Sequence, residues 1–193
     1  AAIPFDFELV DLGDPEAAAR YRTISPFGKM PAIDDGGVVV WESTLVIDHL
    51  ARTHPAAGGL LPRGGAGELE VRLWDRVFDL YVSSNMQKIV GDRRRPSDQR
   101  DRMGTDQARA DLRTAYALIE AHMAGRVWAA GEAFTLADCA AAPGLYYAQR
   151  VEPFDPGHPN VAAYFERLLA RPSFARVLEE ARPYLHMFPE EPG

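Results

Sequence analysis

Apolar and acidic side chains alternate along Phe5-Asp6-Phe7-Glu8-Leu9-Val10, and this period of two predicts a half-buried strand. Gly13-Asp14-Pro15 opens a short helix, with Asp14 as N-cap and Pro15 first in the helix, running from about Glu16 to Thr23. It stops before Ser25-Pro26-Phe27-Gly28. Met30-Pro31-Ala32-Ile33 reads as a strand that begins on proline. Asp34-Asp35-Gly36-Gly37 predicts a hairpin turn, because glycine supplies the positive φ that such turns need. Val38-Val39-Val40-Trp41 is the returning strand. From Ser43 to Arg52, Leu45, Val46, His49 and Leu50 recur at helical spacing. The predicted order at the start of the chain is therefore β-α-β-β-α.

Gly58-Gly59-Leu60-Leu61-Pro62-Arg63-Gly64-Gly65-Ala66-Gly67 breaks this pattern and reads as a connector. A phosphate-binding loop is excluded, since no Gly-Lys-Ser/Thr follows. The boundaries are then an α/β domain over 1–56, a linker over 57–67 and an all-helical domain over 68–193. Leu69, Leu73, Val77, Leu80 and Tyr81 mark one long helix of the second domain; Leu112, Tyr116, Ile119 and Met123 mark another. Asp92-Arg93-Arg94-Arg95-Pro96-Ser97-Asp98 between them predicts a solvated charged loop. Further helices are predicted over 135–150, 161–170 and 173–182.

Composition narrows the function. The 193 residues are 47% hydrophobic with a formal net charge of −7, which disfavours nucleic acid and anionic membrane as main partners. Cys139 is the lone cysteine, so an intramolecular disulfide and a thiolate zinc site are excluded. With no long apolar run or signal-peptide pattern in the sequence, a cytoplasmic setting is expected. The five histidines are scattered, and His-Glu-x-x-His and Gly-x-Ser-x-Gly are missing, so no metal is expected. His49, on an apolar helix face, is expected to be a hydrogen-bonded structural residue.

Two short features carry candidate chemistry. Pro31 cannot donate to a strand ladder, and Lys29-Met30-Pro31 is either an ordinary trans turn or a cis one. In the cis case the Met30 amide and carbonyl face outward and can pair with an extended peptide. Trp41-Glu42-Ser43-Thr44 joins a strand to a helix. Ser43 is either a plain N-cap or part of an anion site at the helix start, with Glu42 beside it to meet an amine. A capping box follows in the second half: Phe134-Thr135-Leu136-Ala137-Asp138, with Thr135 as N-cap and Asp138 reaching back.

These features, in this order, resemble the soluble glutathione transferase family of bacterial type. The first domain is similar to its thioredoxin-like domain, incomplete at its start. Ser25-Pro26-Phe27-Gly28-Lys29-Met30-Pro31-Ala32-Ile33 is similar to the segment around the family's cis-proline, with Met30 in place of the commoner valine. Glu42-Ser43 resembles the pair that binds the γ-glutamyl end of glutathione, and Lys29 matches a position that reaches the glycine carboxylate. Thr135 and Asp138 match the buried folding motif, and Arg171-Pro172-Ser173-Phe174 resembles the start of a late helix. The resemblance implies glutathione as co-substrate and a small hydrophobic electrophile, in a detoxifying reaction. Trp74, Tyr81 and Met86 are candidates to line the electrophile pocket or to be core residues. It implies a homodimer too, with Arg72 and Arg76 on one helix face toward acidic residues of the other subunit.

The family places a strand, a helix and the thiol-activating Tyr, Ser or Cys ahead of the segment matching Pro4-Phe5-Asp6. The expectation is that such residues precede Ala1 in the natural protein, which leaves the catalytic residue unknown. Cys139, one residue past the capping Asp138, is a poor substitute. Two other readings remain: a non-catalytic binding or scaffold protein with this fold, and a glutathione-dependent isomerase or thiol reductase.

Overall fold

The computed structural model describes residues 3–191, which divide into two compact units between Arg63 and Gly64. In the first, α1 (Pro15–Arg22) starts at Asp14, whose carboxylate accepts the Glu16 amide hydrogen at 3.0 Å. β1 (Ala32–Asp35) and β2 (Val38–Trp41) pair antiparallel, with Ala32 opposite Trp41 and Asp35 opposite Val38. Gly36 and Gly37 turn the hairpin at φ of 63° and 91°, a conformation that L side chains resist. α2 (Ser43–Thr53) follows at once and packs back on both strands. His49 reaches across to β1, its Nε2 lying 2.7 Å from Asp35 Oδ2, and His54 Nε2 meets the same oxygen at 3.2 Å.

Residues 5–10 differ from the sequence expectation. They run without strand pairing, and Phe5, Phe7 and Leu9 lie exposed. Alternation is a local signal, whereas a strand needs a neighbour to complete its ladder. Among the described residues the sheet holds β1 and β2 alone. A cavity of about 540 Å³ separates Glu8-Leu9-Val10 from Ala32-Ile33-Asp34.

The stretch 57–67 is more ordered than a connector. Pro55–Leu60 forms a 3₁₀ turn, with Ala57 and Leu61 buried, and Gly65 already starts α3 (Gly65–Val77). α3 continues through a π-helical turn, Phe78–Ser83, into α4 (Ser84–Arg93). The long run is helical as expected, but of the residues marked from the sequence only Val77 is buried. Val71, Trp74, Phe78, Val82 and Ile89 enter the core, while Leu69, Leu73, Leu80 and Tyr81 are exposed. α5 (Arg102–Met123), α6 (Leu136–Val151), α7 (Pro159–Ala170) and α8 (Pro172–Ala181) complete the second unit, followed by a 3₁₀ turn over Arg182–Met187. Gly144 lets α6 approach the π turn closely: a Cβ there would lie 2.9 Å from Ser83 Oγ. No helix among the described residues is long and apolar enough to cross a membrane.

Candidate functional site

The Met30–Pro31 peptide is cis. The turn before it is fastened from behind, where the Lys29 carbonyl accepts the Tyr21 hydroxyl at 2.9 Å and the Ser25 hydroxyl at 2.8 Å. Tyr21 and Ser25 are both buried, so the core of the first unit fixes this loop. Met30 faces outward at 57% exposure, and its main-chain N–H and C=O make no hydrogen bond among the described residues. Lys29 is exposed.

The hairpin register brings the second feature alongside. Ala32 faces Trp41 in the last pair of the ladder, so the Met30–Pro31 turn leads into, and the Glu42–Ser43 junction leads out of, the same end of the hairpin. Phe27 braces the arrangement, its ring 6.1 Å from that of Trp41. Thus Met30, Pro31, Glu42 and Ser43 share one end of the hairpin.

The expected cap shifts by one residue. Glu42 takes the cap position at φ 76°, and Ser43 is the first residue of α2. A single residue must turn the chain from strand to helix, and Glu42 does so in a region that non-glycine residues rarely occupy. Its carboxylate is exposed and makes neither a hydrogen bond nor an ion pair among the described residues. The Val46 amide is bonded back to the Glu42 carbonyl at 2.9 Å, so the Ser43 amide and hydroxyl sit at the open start of the helix. One end of the hairpin thus carries a helix start, an exposed carboxylate and an unpaired peptide edge.

In the second unit the capping motif is a buried hub. Asp138 is 0% exposed, and its carboxylate accepts from the amides of Thr135 at 2.8 Å and Ala129 at 2.9 Å, and from the Tyr164 hydroxyl at 2.6 Å. The Thr135 hydroxyl adds a longer contact at 3.3 Å. Burial, reinforced by the Asp138 charge, pushes the Tyr164 hydroxyl well above its ordinary value, so it remains a donor. Cys139, next along, is pushed up to about 12, first by burial and then by Asp138, which keeps it a thiol rather than a nucleophilic thiolate.

Trp74, Tyr81 and Met86 do not gather into one pocket. Trp74 is buried and stacks on His122 at 3.7 Å, and Tyr81 lies on the exposed face of the π turn. Met86 alone of the three lines a cleft of about 530 Å³ within the helical unit, which sequence reasoning missed. Its outer wall is the segment 187–189, more than ninety residues away in the chain from α4. Arg93 holds that wall, donating to the Pro189 carbonyl at 3.1 Å and pairing with Glu191 at 3.2 Å. Arg109 grips the same Glu191 at 2.6 Å. Arg72 and Arg76 are engaged within their own helical run, Arg72 with Glu68 at 3.0 Å and Arg76 with Asp79. Among the described residues no cluster of His, Cys, Asp and Glu is arranged to hold a metal.

A hairpin-and-helix unit with a cis-proline, followed by an all-helical unit, defines a thioredoxin-like protein joined to an α-helical domain. The sequence matches the family descriptions "Glutathione S-transferase, N-terminal domain" over residues 1–58 and "Glutathione S-transferase, C-terminal domain" over residues 78–172. The chain belongs to the glutathione S-transferase family. It is similar to a glutathione S-transferase-like protein of Fusarium sp., 34% identical over 143 residues, covering 72% of this chain and 62% of that relative. It is likewise similar to glutathione S-transferase 3 of Zea mays, 28% identical over 185 residues and covering 90% and 82% of the two chains. Among solved structures, a Methylobacillus flagellatus glutathione S-transferase with GSH bound superposes at a TM-score of 0.80, with 26% identity. That match covers 90% of this chain and 86% of the other.

Proposed function

We propose that the protein is a glutathione transferase that joins the glutathione thiol to a small hydrophobic electrophile. The observation that supports this reading is the cis Met30–Pro31 turn at the end of the hairpin where Ala32 pairs with Trp41, the end from which Glu42 and Ser43 lead into α2. Glutathione is an extended peptide with a charged amino-acid head. Its backbone would pair with the Met30 N–H and C=O, its γ-glutamyl carboxylate would sit on Ser43 and the start of α2, and its amine would meet Glu42. Lys29 would reach the far carboxylate. A GSH-bound relative of the same fold supports this assignment. Low thiolate character at Cys139 weighs against a reductase built on that residue. Calorimetry with glutathione tests the site: Ser43→Ala should weaken binding about tenfold, the loss expected for one charge-assisted hydrogen bond. Unchanged affinity in both Ser43→Ala and Glu42→Ala would refute it.

The same reading includes a cytoplasmic, detoxifying homodimer. Exposed Leu69, Leu73 and Leu80 form an apolar stripe on the α3 and π-turn surface, and burial against a second chain would cover it. Arg72 and Arg76, already paired within their helix, would frame the stripe rather than bridge it. Light scattering at micromolar concentration should report two chains, and Leu73→Arg should yield one. A native protein found only as monomer would overturn this part.

A further inference from the structure

The cleft beside Met86 has a lining that narrows what it can hold. Met86 and Val90, one turn apart on α4, supply its floor, and Tyr147 of α6 and Phe188 supply a wall. Those two rings stack at 5.4 Å with 19° between their planes, a ready platform for another flat ring. Arg94 is the one charged residue in the lining, and no Asp or Glu lines the cleft. Its neighbours are taken: Arg93 holds Pro189 and Glu191, and Arg95 pairs with Asp92 at 3.3 Å. Arg94 has no ion pair among the described residues. An apolar slot of about 530 Å³ with a single uncompensated guanidinium at its edge falls within the size range of small-molecule sites.

We propose that this cleft binds a flat aromatic acid, its ring against Tyr147 and Phe188 and its anion on Arg94. A planar guanidinium suits a carboxylate, which it can meet through two parallel N–H donors. The neutral members of the same chemical class lack that partner, so Arg94 sets the preference for charge while the cleft sets the preference for shape. Binding of the aromatic acid belongs to the helical unit and does not rest on the transferase reading.

The test is titration of the full chain with 2-naphthoate and with its uncharged methyl ester, each followed calorimetrically without glutathione. The naphthoate is expected to bind about fivefold more tightly than the ester, the scale of one exposed ion pair. Arg94→Gln should bring the two to equal affinity and leave the ester unchanged. Val90→Trp should fill the cleft and abolish both, with an unaltered circular dichroism spectrum showing that it folds. Equal binding of the two probes to the native protein, or retention of both by Val90→Trp, would overturn the proposal. A separate glutathione titration keeps the readings apart. Glutathione binding without charge preference in the cleft defeats this proposal alone, and the reverse result defeats only the transferase assignment.

Discussion

Replacing Asp138 with alanine should come close to unfolding the helical unit, and the reason can be worked from its contacts. The carboxylate is wholly buried and is the acceptor for the Ala129 amide, the Thr135 amide and the Tyr164 hydroxyl. Alanine leaves three buried donors without an acceptor. Each such group costs about 1–3 kcal/mol, and with relaxation around the gap the sum is about 3–6 kcal/mol. Domains of ordinary stability have only about 5–15 kcal/mol to lose. Urea unfolding followed by circular dichroism should therefore show a large fall in midpoint for Asp138→Ala. Tyr164→Phe removes a single bond to a charged acceptor and should lose about 1.5–3 kcal/mol. The double variant should lose less than the sum, because both changes remove the same contact. Glutathione affinity of the remaining folded fraction should not change. A loss below about 1 kcal/mol for Asp138→Ala would refute the hub. A fully stable variant without turnover would instead place Asp138 in the chemistry.

Glu42→Gly should raise stability by about 1 kcal/mol, since glycine accepts positive φ without penalty, yet weaken glutathione by removing the carboxylate; urea unfolding and calorimetry read the two effects separately. Acid stability should depend on Asp35, whose carboxyl is held below its ordinary 3.8 by hydrogen bonding to His49 and then His54. Such a lowered group stabilises the fold above its unfolded value and ceases to do so as pH falls through its folded value. Melting temperatures taken downward from pH 5 should thus fall less steeply in Asp35→Asn than in the native protein, and identical profiles would refute the contribution.

What the sequence made legible was local. The capping motif at Thr135–Asp138, the Asp34–Gly37 turn and the helices after residue 135 are each specified by residues a few positions apart, within reach of one another in any conformation. Met30–Pro31 and Glu42–Ser43 could be singled out by residue type, but only pairing of β1 with β2 brings them to the same end of the hairpin. Tertiary partners were not readable. Nothing near Asp138 announces Tyr164, twenty-six positions on, nor does α4 announce Phe188. The long helix is apolar on two faces, so periodicity alone chose Leu69, Leu73, Val77, Leu80 and Tyr81, whereas packing buries Val77 together with Val71, Trp74 and Phe78. Phe5 to Val10 carries the alternation of a strand without the pairing that makes one, because backbone hydrogen bonds must be completed by another segment.

Glu191 is a surface residue by area and a keystone by electrostatics. Its side chain is 65% exposed, yet it stands between Arg93 and Arg109, which repel one another. Arg93 is only 7% exposed, so it cannot exchange this counter-charge for water without moving. Neutralising Glu191 would therefore act in two places at once. It would leave Arg93 facing Arg109 without the carboxylate they share, and it would slacken the wall on which Phe188 is carried. The shape of a cleft built from aromatic rings is governed, in this protein, by a carboxylate that touches none of them.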